Sequence, residues 1–366
     1  MEPSPAFHGG RSFEAIGEDF RTLDRAAHIV RADVLDAWFD PAPNVLEKLR
    51  DFLPFLARSS PPVHGRGLIN AIAAARGILP ECVLSGAGSS DLIFTCLPRL
   101  VRPGQRVLIL DPMYGEYRHV FEQVIGAELL RFRLRETDAF RVDVDELIEE
   151  VRRTSPDLVT LVNPNSPTGQ FIPRDQLLRF VDSLPGQTKL LIDETYIEYV
   201  GSHESVEQQA CARPNLLLLK SMSKVYALSG LRAGYLVAHH QTIRELARTM
   251  PPWAVSLPAQ VAAVEALANP GYYQDRYAET HRLRRHLAQA LTNLEVQQGC
   301  ANFLLVKVPG SAEAILRHMA ANHDVHVRNC NSMGSCFDDN FLRITVLTPD
   351  QNNRIASAFA AAAISR

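Results

Sequence analysis

The sequence predicts an α/β protein: a large domain with a mostly parallel central sheet flanked by helices, followed by a smaller α+β C-terminal domain. Three observations predict it. Short continuous apolar runs recur from about residue 80, amphipathic segments of helical length separate them, and the pattern changes after about residue 258. The runs are Arg106-Val-Leu-Ile-Leu-Asp111, Asp157-Leu-Val-Thr-Leu-Val162, Lys189-Leu-Leu-Ile-Asp193 and Asn215-Leu-Leu-Leu-Leu219, each bounded by polar or turn residues. Parallel strands covered on both faces read this way, because no face alternates toward water. Between them, Asp143–Thr154 opens on an aspartate that suits a helix cap, and Arg174–Leu184 follows Pro173, which suits a first helical turn. Strand–helix alternation of this length implies parallel strands joined by helical crossovers.

Beyond residue 258 come a long helix rich in Arg and Glu (Tyr272–Leu294), a strand (Phe303–Lys307), a helix (Ala312–Ala321), strands at Val325–Arg328 and Leu342–Val346, and a last helix, Pro349–Ala363. The expected organisation is an N-terminal arm over 1–45 that joins the small domain, a large domain over 46–257, and a small domain over 258–366.

Composition excludes several classes. With 366 residues, 46% apolar residues and a net charge of -3, the chain has a sizeable core and no basic footprint for nucleic acid. No apolar run reaches the roughly 20 residues that span a bilayer, and the polar stretch Met1–Arg11 lacks a signal-peptide core. Six scattered cysteines form no CxxC pair, so neither a disulfide framework nor a metal site is expected, and a cytoplasmic setting is.

Three segments carry chemistry. Ser221-Met-Ser-Lys224 directly follows an apolar run, where hydroxyls and backbone N–H groups can hold a phosphate, and Arg232 supplies a second anchor. A surface lysine on a loop is the alternative. Ser85-Gly-Ala-Gly88-Ser-Ser90-Asp91 opens a helix over Asp91–Leu97, and exposed N–H groups with the helix dipole favour phosphate there. Gly/Ser turns also cap ordinary helices. Asp193-Glu-Thr-Tyr196 ends an apolar strand, where ligands bind in open α/β sheets, or else Asp193 caps a helix.

Taken together with Asp111-Pro-Met-Tyr114-Gly-Glu-Tyr117, Asn163-Pro-Asn165-Ser166-Pro-Thr-Gly169, Leu231-Arg232-Ala-Gly and Leu342-Arg343-Ile-Thr, these motifs resemble the fold-type I pyridoxal-phosphate enzymes. Within that group the likeness is to the class I/II aminotransferase superfamily, in the branch of histidinol-phosphate aminotransferase and threonine-phosphate decarboxylase. It runs from about residue 40 onward. The resemblance implies a fold-type I transferase, pyridoxal 5'-phosphate as cofactor, an amino acid and a 2-oxo acid as substrates, and a homodimer. It also implies roles by position. Lys224 carries the cofactor and moves protons at the α-carbon, Asp193 pairs with the pyridine nitrogen, Tyr196 bonds the ring hydroxyl and Tyr114 stacks on the ring. Gly88, Ser89, Ser90, Ser221, Ser223 and Arg232 cradle the phosphate. Arg343 holds the substrate carboxylate; its place in an apolar strand makes an unpaired charge costly. Arg328 matches a second substrate arginine, or faces solvent on an edge strand.

Three departures accompany the match. The family's Asn before Pro-Thr-Gly is Ser166 here, with Asn165 one residue earlier, and either is a candidate for the ring hydroxyl. The partner-reaching tyrosine of relatives is missing from Arg58-Ser-Ser-Pro61-Pro-Val-His64, where His64 either substitutes or caps the helix Leu68–Ala75. The segment Arg31-Ala-Asp33-Val-Leu-Asp36-Ala-Trp38-Phe39-Asp40 stands where relatives have an Asn-x-Asn-Pro substrate loop. Its acids and Trp38 lead us to expect a substrate whose distal end is uncharged or cationic, bound by Asp36 and Trp38, and poor use of histidinol phosphate; the alternative is that the acids point to solvent and cap the turn at Pro41, with Arg328 available to neutralise a phosphate. Phe7-His8-Gly9-Gly10 also resembles the opening of the threonine-phosphate decarboxylase.

The leading expectation is an aminotransferase. A decarboxylase or an eliminating or cyclising enzyme on the same fold comes second, since the bond that breaks is the one held perpendicular to the ring. A non-catalytic pyridoxal-phosphate-binding regulator is the reading from another class; it calls for a helix-turn-helix extension, and the arm has no basic recognition helix.

Overall fold

The computed structural model describes residues 9–364. Phe7, His8 and most of the polar N-terminal stretch therefore lie outside the described residues. Twelve strands follow in chain order: β1 (Val30–Ala32), β2 (Val83–Gly86), β3 (Arg106–Asp111), β4 (Glu128–Arg133), β5 (Leu158–Val162), β6 (Lys189–Asp193), β7 (Leu216–Ser221), β8 (Gly234–Ala238), β9 (Glu295–Gln297), β10 (Phe303–Lys307), β11 (Val325–Asn329) and β12 (Phe341–Thr345).

Seven of them form one sheet in the order β2-β8-β7-β6-β5-β3-β4. Strands β4, β3, β5, β6 and β7 run parallel, and β8 is antiparallel to both its neighbours. Four of these seven are the apolar runs read from sequence. Leu216, Leu217, Leu218 and Leu219 are all buried, and each such side chain contributes roughly 1.5–3 kcal/mol, which places β7 in the sheet's interior. The remaining three, β2, β4 and β8, give weaker sequence signals: β2 and β8 carry glycine, and β4 is half charged.

A second, five-stranded sheet has the order β1-β11-β12-β10-β9, with β1 parallel to β11 and the other pairs antiparallel. Its apolar face packs beneath Ala312–His323 and Pro349–Ile364 in a core of its own. Thus β1, from the N-terminal segment, extends the sheet made by the C-terminal part of the chain. The helix Leu257–Leu267 packs instead on Pro43–Arg58 and Arg66–Arg76 in the larger core. The helix Pro270–Ala290 crosses between cores, giving Tyr273 and Tyr277 to the larger and Leu287 to the smaller. The change of packing falls inside this helix rather than at residue 258.

Helix ends follow local chemistry. Asp143 caps Val144–Thr154, its side chain accepting from the N–H groups of Asp145 and Glu146. Pro173 occupies the cap of Arg174–Ser183 rather than its first turn. The long helix begins earlier than expected because Pro270 takes its first turn, where no N–H is needed. No helix among the described residues is long and apolar enough to cross a membrane.

Candidate active site

The carboxyl ends of β3, β5, β6 and β7 face the second sheet across a cavity of about 650 Å³. Ligands of open α/β sheets bind at this edge. The cavity brings together Ser89, Ser90, Tyr114, Ser166, Asp193, Tyr196, Ser221, Ser223, Lys224 and Arg232 from the large-sheet side. Arg328 and Arg343 enter from β11 and β12, and Asp36 from the N-terminal segment.

Asp193 ends β6 and is buried. Its Oδ1 accepts from the Thr195 N–H (2.9 Å) and Thr195 Oγ1 (2.6 Å), and its Oδ2 from the Tyr117 hydroxyl (2.8 Å). It caps no helix, since the next helical turn starts after Tyr196. Burial raises the Asp193 carboxyl above its ordinary value, and the Thr195 and Tyr117 donors pull it back. The carboxylate makes no ion pair among the described residues, so a cation brought by a ligand is the charge it lacks.

At another part of the cavity lies an anion cradle. The helix Ser89–Leu100 opens at Gly88, whose φ of 87° is a left-handed conformation. A Cβ there would sit 2.6 Å from Arg232 Nη2, so only glycine admits the guanidinium against this turn. Gly234 is equally constrained, with a Cβ meeting Gly88 C at 2.8 Å and Ser89 N at 2.9 Å. Arg232 Nη1 donates to Ser223 Oγ (3.2 Å) and to the Ser229 carbonyl (2.9 Å). The Ser90 hydroxyl is committed to Glu116 at 2.8 Å, which leaves Ser90 its backbone N–H at the helix start. Gly88 itself shapes the turn and does not line the cavity.

Lys224 lies three residues past β7, with its Nζ 3.1 Å from Asp36 Oδ1. It is not a surface lysine: its side chain is 21% exposed. Arg328 and Arg343 are Cα partners on adjacent strands, each 6% exposed. Strand β11 lies between β1 and β12, which removes the solvent-facing edge reading of Arg328. Arg343 Nη1 donates to Ser166 Oγ at 3.0 Å, bridging the two sheets, and burial beside Arg343 lowers Arg328 to about 10.

Several expectations need correction. Asn165 turns away from the cavity and gives its Nδ2 to the Pro112 carbonyl and Thr168 Oγ1, both at 3.0 Å. Ser166 is the residue of that pair that faces the site. Trp38 does not line the cavity either; its indole N–H donates to Thr280 Oγ1 (2.8 Å) within the packing between Phe39 and the long helix. The acids of the same segment do not form a receptor for a cationic substrate end. Asp33 accepts from the N–H groups of Gly10 and Ser12, Asp40 is exposed away from the cavity, and Asp36 is paired with Lys224 and Arg31. His64 caps nothing: Gly65 precedes the helix Arg66–Arg76 with no side-chain bond, and His64 lines a separate cavity of about 370 Å³. Thr195 and Tyr117, the donors on Asp193, were given no role from sequence, although both stand inside the quoted motifs.

Chemically, the donor set fits pyridoxal phosphate. A buried carboxylate suits a pyridinium, serines and an arginine at a helix start suit a phosphate, and the Lys224 amine lines the same cavity. The fold and site together define a fold-type I pyridoxal-phosphate enzyme. The family model of aminotransferase class I and II matches residues 37–359. Histidinol-phosphate aminotransferase of Chlorobium phaeovibrioides is 31% identical over 294 residues, covering 80% of this chain and 79% of that one. Among solved structures, histidinol-phosphate aminotransferase from Sinorhizobium meliloti in complex with pyridoxal-5'-phosphate superposes with a TM-score of 0.84 at 24% identity, covering 93% of each chain. L-threonine-O-3-phosphate decarboxylase from Porphyromonas gingivalis gives 0.79 at 23% identity, covering 92% of this chain and all of that one (100%). The chain belongs to the class I and II aminotransferases. It is a pyridoxal-phosphate-dependent aminotransferase of the histidinol-phosphate aminotransferase type, acting between an amino acid and a 2-oxo acid.

Proposed function

We propose that this aminotransferase takes an amino substrate ending in an anion, a phosphate or a second carboxylate, and exchanges its amino group with a small 2-oxo acid. One observation carries this: two buried guanidiniums, Arg328 and Arg343, face the same cavity as Lys224 and Asp193. Guanidiniums present forked N–H donors that match a carboxylate or phosphate in two-point contact, and two of them converging on one cavity suit such a group. The lining agrees, with Arg31, Arg118, Arg232, Arg328, Arg343 and Lys224 against Asp33, Asp36, Glu116 and Asp193.

When bound, the cofactor supplies an electron sink for charge developing at the substrate α-carbon. We assign the chain's own residues as follows. Lys224 binds the cofactor and then moves the α-proton. Asp193, held by Tyr117 and Thr195, keeps a proton on the ring nitrogen. Tyr196 and Ser166 face the ring hydroxyl, Tyr114 covers a ring face, and Arg232 with Ser89, Ser221 and Ser223 holds the phosphate. Transamination and decarboxylation begin from the same assembly, and the bond to the α-carbon held perpendicular to the ring decides between them. Comparing kcat/KM for histidinol phosphate and threonine phosphate with arginine- and ornithine-like amino acids tests the anion preference. The phosphorylated substrate is expected to win by about tenfold or more, roughly 1.4 kcal/mol in transition-state binding. A basic amino acid winning by that margin removes it.

We also propose a homodimer and a cytoplasmic setting. Six free cysteines suit the latter. For the dimer, Phe52, Leu53 and Phe55 are each half exposed on the helix Pro43–Arg58, and Val63 and Trp253 are exposed where the His64 N–H meets the Pro252 carbonyl (2.8 Å). Exposed aromatic clusters of this kind mark interfaces. Replacing Phe52 and Trp253 by Glu together is expected to turn a sedimenting dimer into monomers. A parent chain that is monomeric and fully active at nanomolar concentration overturns this assignment.

A further inference from the structure

We propose that Asp36 is a positioning residue for the reactive lysine: a carboxylate delivered by the N-terminal segment holds the Lys224 amine in place and favours its ammonium form. The proposal rests on the reading of Lys224 as the cofactor lysine. It begins with how Asp36 is delivered. Strand β1 pairs with β11, and the chain beyond it is fastened at successive carbonyls. The Ala32 and Val34 carbonyls accept from Thr345 Oγ1, and the Leu35 carbonyl from Asn302 Nδ2 at 3.2 Å. Residue 36 therefore arrives at the cavity from a segment fixed to the second sheet, while Lys224 comes from the first.

The carboxylate divides between two cations. Oδ1 faces Lys224 Nζ at 3.1 Å, and Oδ2 faces Arg31 Nη2 at 3.5 Å, with Ser229 beside the same group. Both oxygens are thus occupied within the protein, which is why Asp36 does not serve as a receptor for a cationic substrate. The charged groups that act on the amine are Asp36, Arg343 on β12 and Arg232 ahead of β8, and the same cavity is lined further by Arg31, Asp33, Tyr114, Glu116, Arg118, His119, Asp193, Tyr196 and Arg328. Burial pushes the lysine below its ordinary value, the two arginines add to this, and Asp36 pulls the other way. Burial alone would raise the Asp36 carboxyl, and Lys224 holds it below the ordinary carboxylate range. The pair is mutually stabilised, and Asp36 is the carboxylate in direct contact with the amine.

The consequence is a balance. A neutral amine attacks the cofactor aldehyde, whereas an ammonium delivers a proton to substrate carbon. Asp36 shifts that balance toward the ammonium and fixes the direction of Nζ. An opposite charge within about 4–6 Å moves a pKa by roughly one to three units.

The test uses cofactor-free enzyme with pyridoxal phosphate as probe. The rate of cofactor capture is followed by absorbance against pH for the parent, Asp36→Asn and Asp36→Glu, and the captured lysine is fixed by borohydride reduction and mapped. Thermal melts confirm that each variant is folded. The parent rate is expected to climb with pH as the amine loses its proton. In Asp36→Asn the climb is expected about one unit or more lower, and in Asp36→Glu near the parent's. With the label on Lys224 and the climb unmoved in Asp36→Asn, the proposal fails alone. A label on another lysine removes the reading of Lys224 and the proposal with it. If Asp36→Asn does not fold, Asp36→Ser, which also removes the charge, takes its place: a climb about one unit or more lower supports the proposal, and a climb at the parent's pH counts against it.

Discussion

Lys224→Ala is expected to lose activity by roughly four to six orders of magnitude while remaining folded, because nucleophile and proton carrier vanish together. The structural cost is small. The lysine contributes one ion pair, to Asp36, and Asp36 keeps Arg31 as a partner after the change. A melt near the parent's, no covalent cofactor after reduction and no turnover form the expected set. Turnover near the parent rate would falsify the assignment of Lys224.

Asp193→Asn is expected to bind the cofactor and react about two to three orders of magnitude more slowly, the loss typical of one preorganised charge-stabilising group. The site tolerates the amide. Its oxygen can keep the Thr195 N–H and hydroxyl donors, and its NH₂ can donate to the Tyr117 oxygen, whose own proton is free to rotate. What it loses is the negative charge that holds a proton on the ring nitrogen. Normal cofactor content with a fall in kcat greater than any change in KM is the result to look for. An unchanged kcat reduces Asp193 to the acceptor of the turn at Thr195.

Much of the fold and the site was legible from contiguous stretches of sequence. Burial on both faces writes a strand as an unbroken apolar run, so β3, β5, β6 and β7 were readable by eye. Edge and antiparallel strands such as β2, β4 and β8 were not, because glycine or alternating charge hides them. The residues that line the cavity from the large-sheet side come in short segments at strand ends and helix starts. Their identity and order therefore survive in one dimension, as in Ser221 to Lys224 and Asp193 to Tyr196.

What the sequence by itself determined, then, was the class of fold, the cofactor chemistry and most of the residues that line the cavity from the large-sheet side. Only the tertiary structure decided which way neighbours point and which distant groups meet. Ser166 and Asn165 are adjacent, yet one enters the cavity and the other turns to the Pro112 carbonyl. Asp36 and Trp38 read alike as substrate contacts, but Asp36 meets a lysine 188 residues away and Trp38 a threonine 242 away. Arg343 reaches Ser166 across a separation of 177 residues. A charge in a sequence has a sign but no direction. Its partner is chosen by burial, which makes an unpaired charge costly and leaves the folded chain to bring the counter-charge to it.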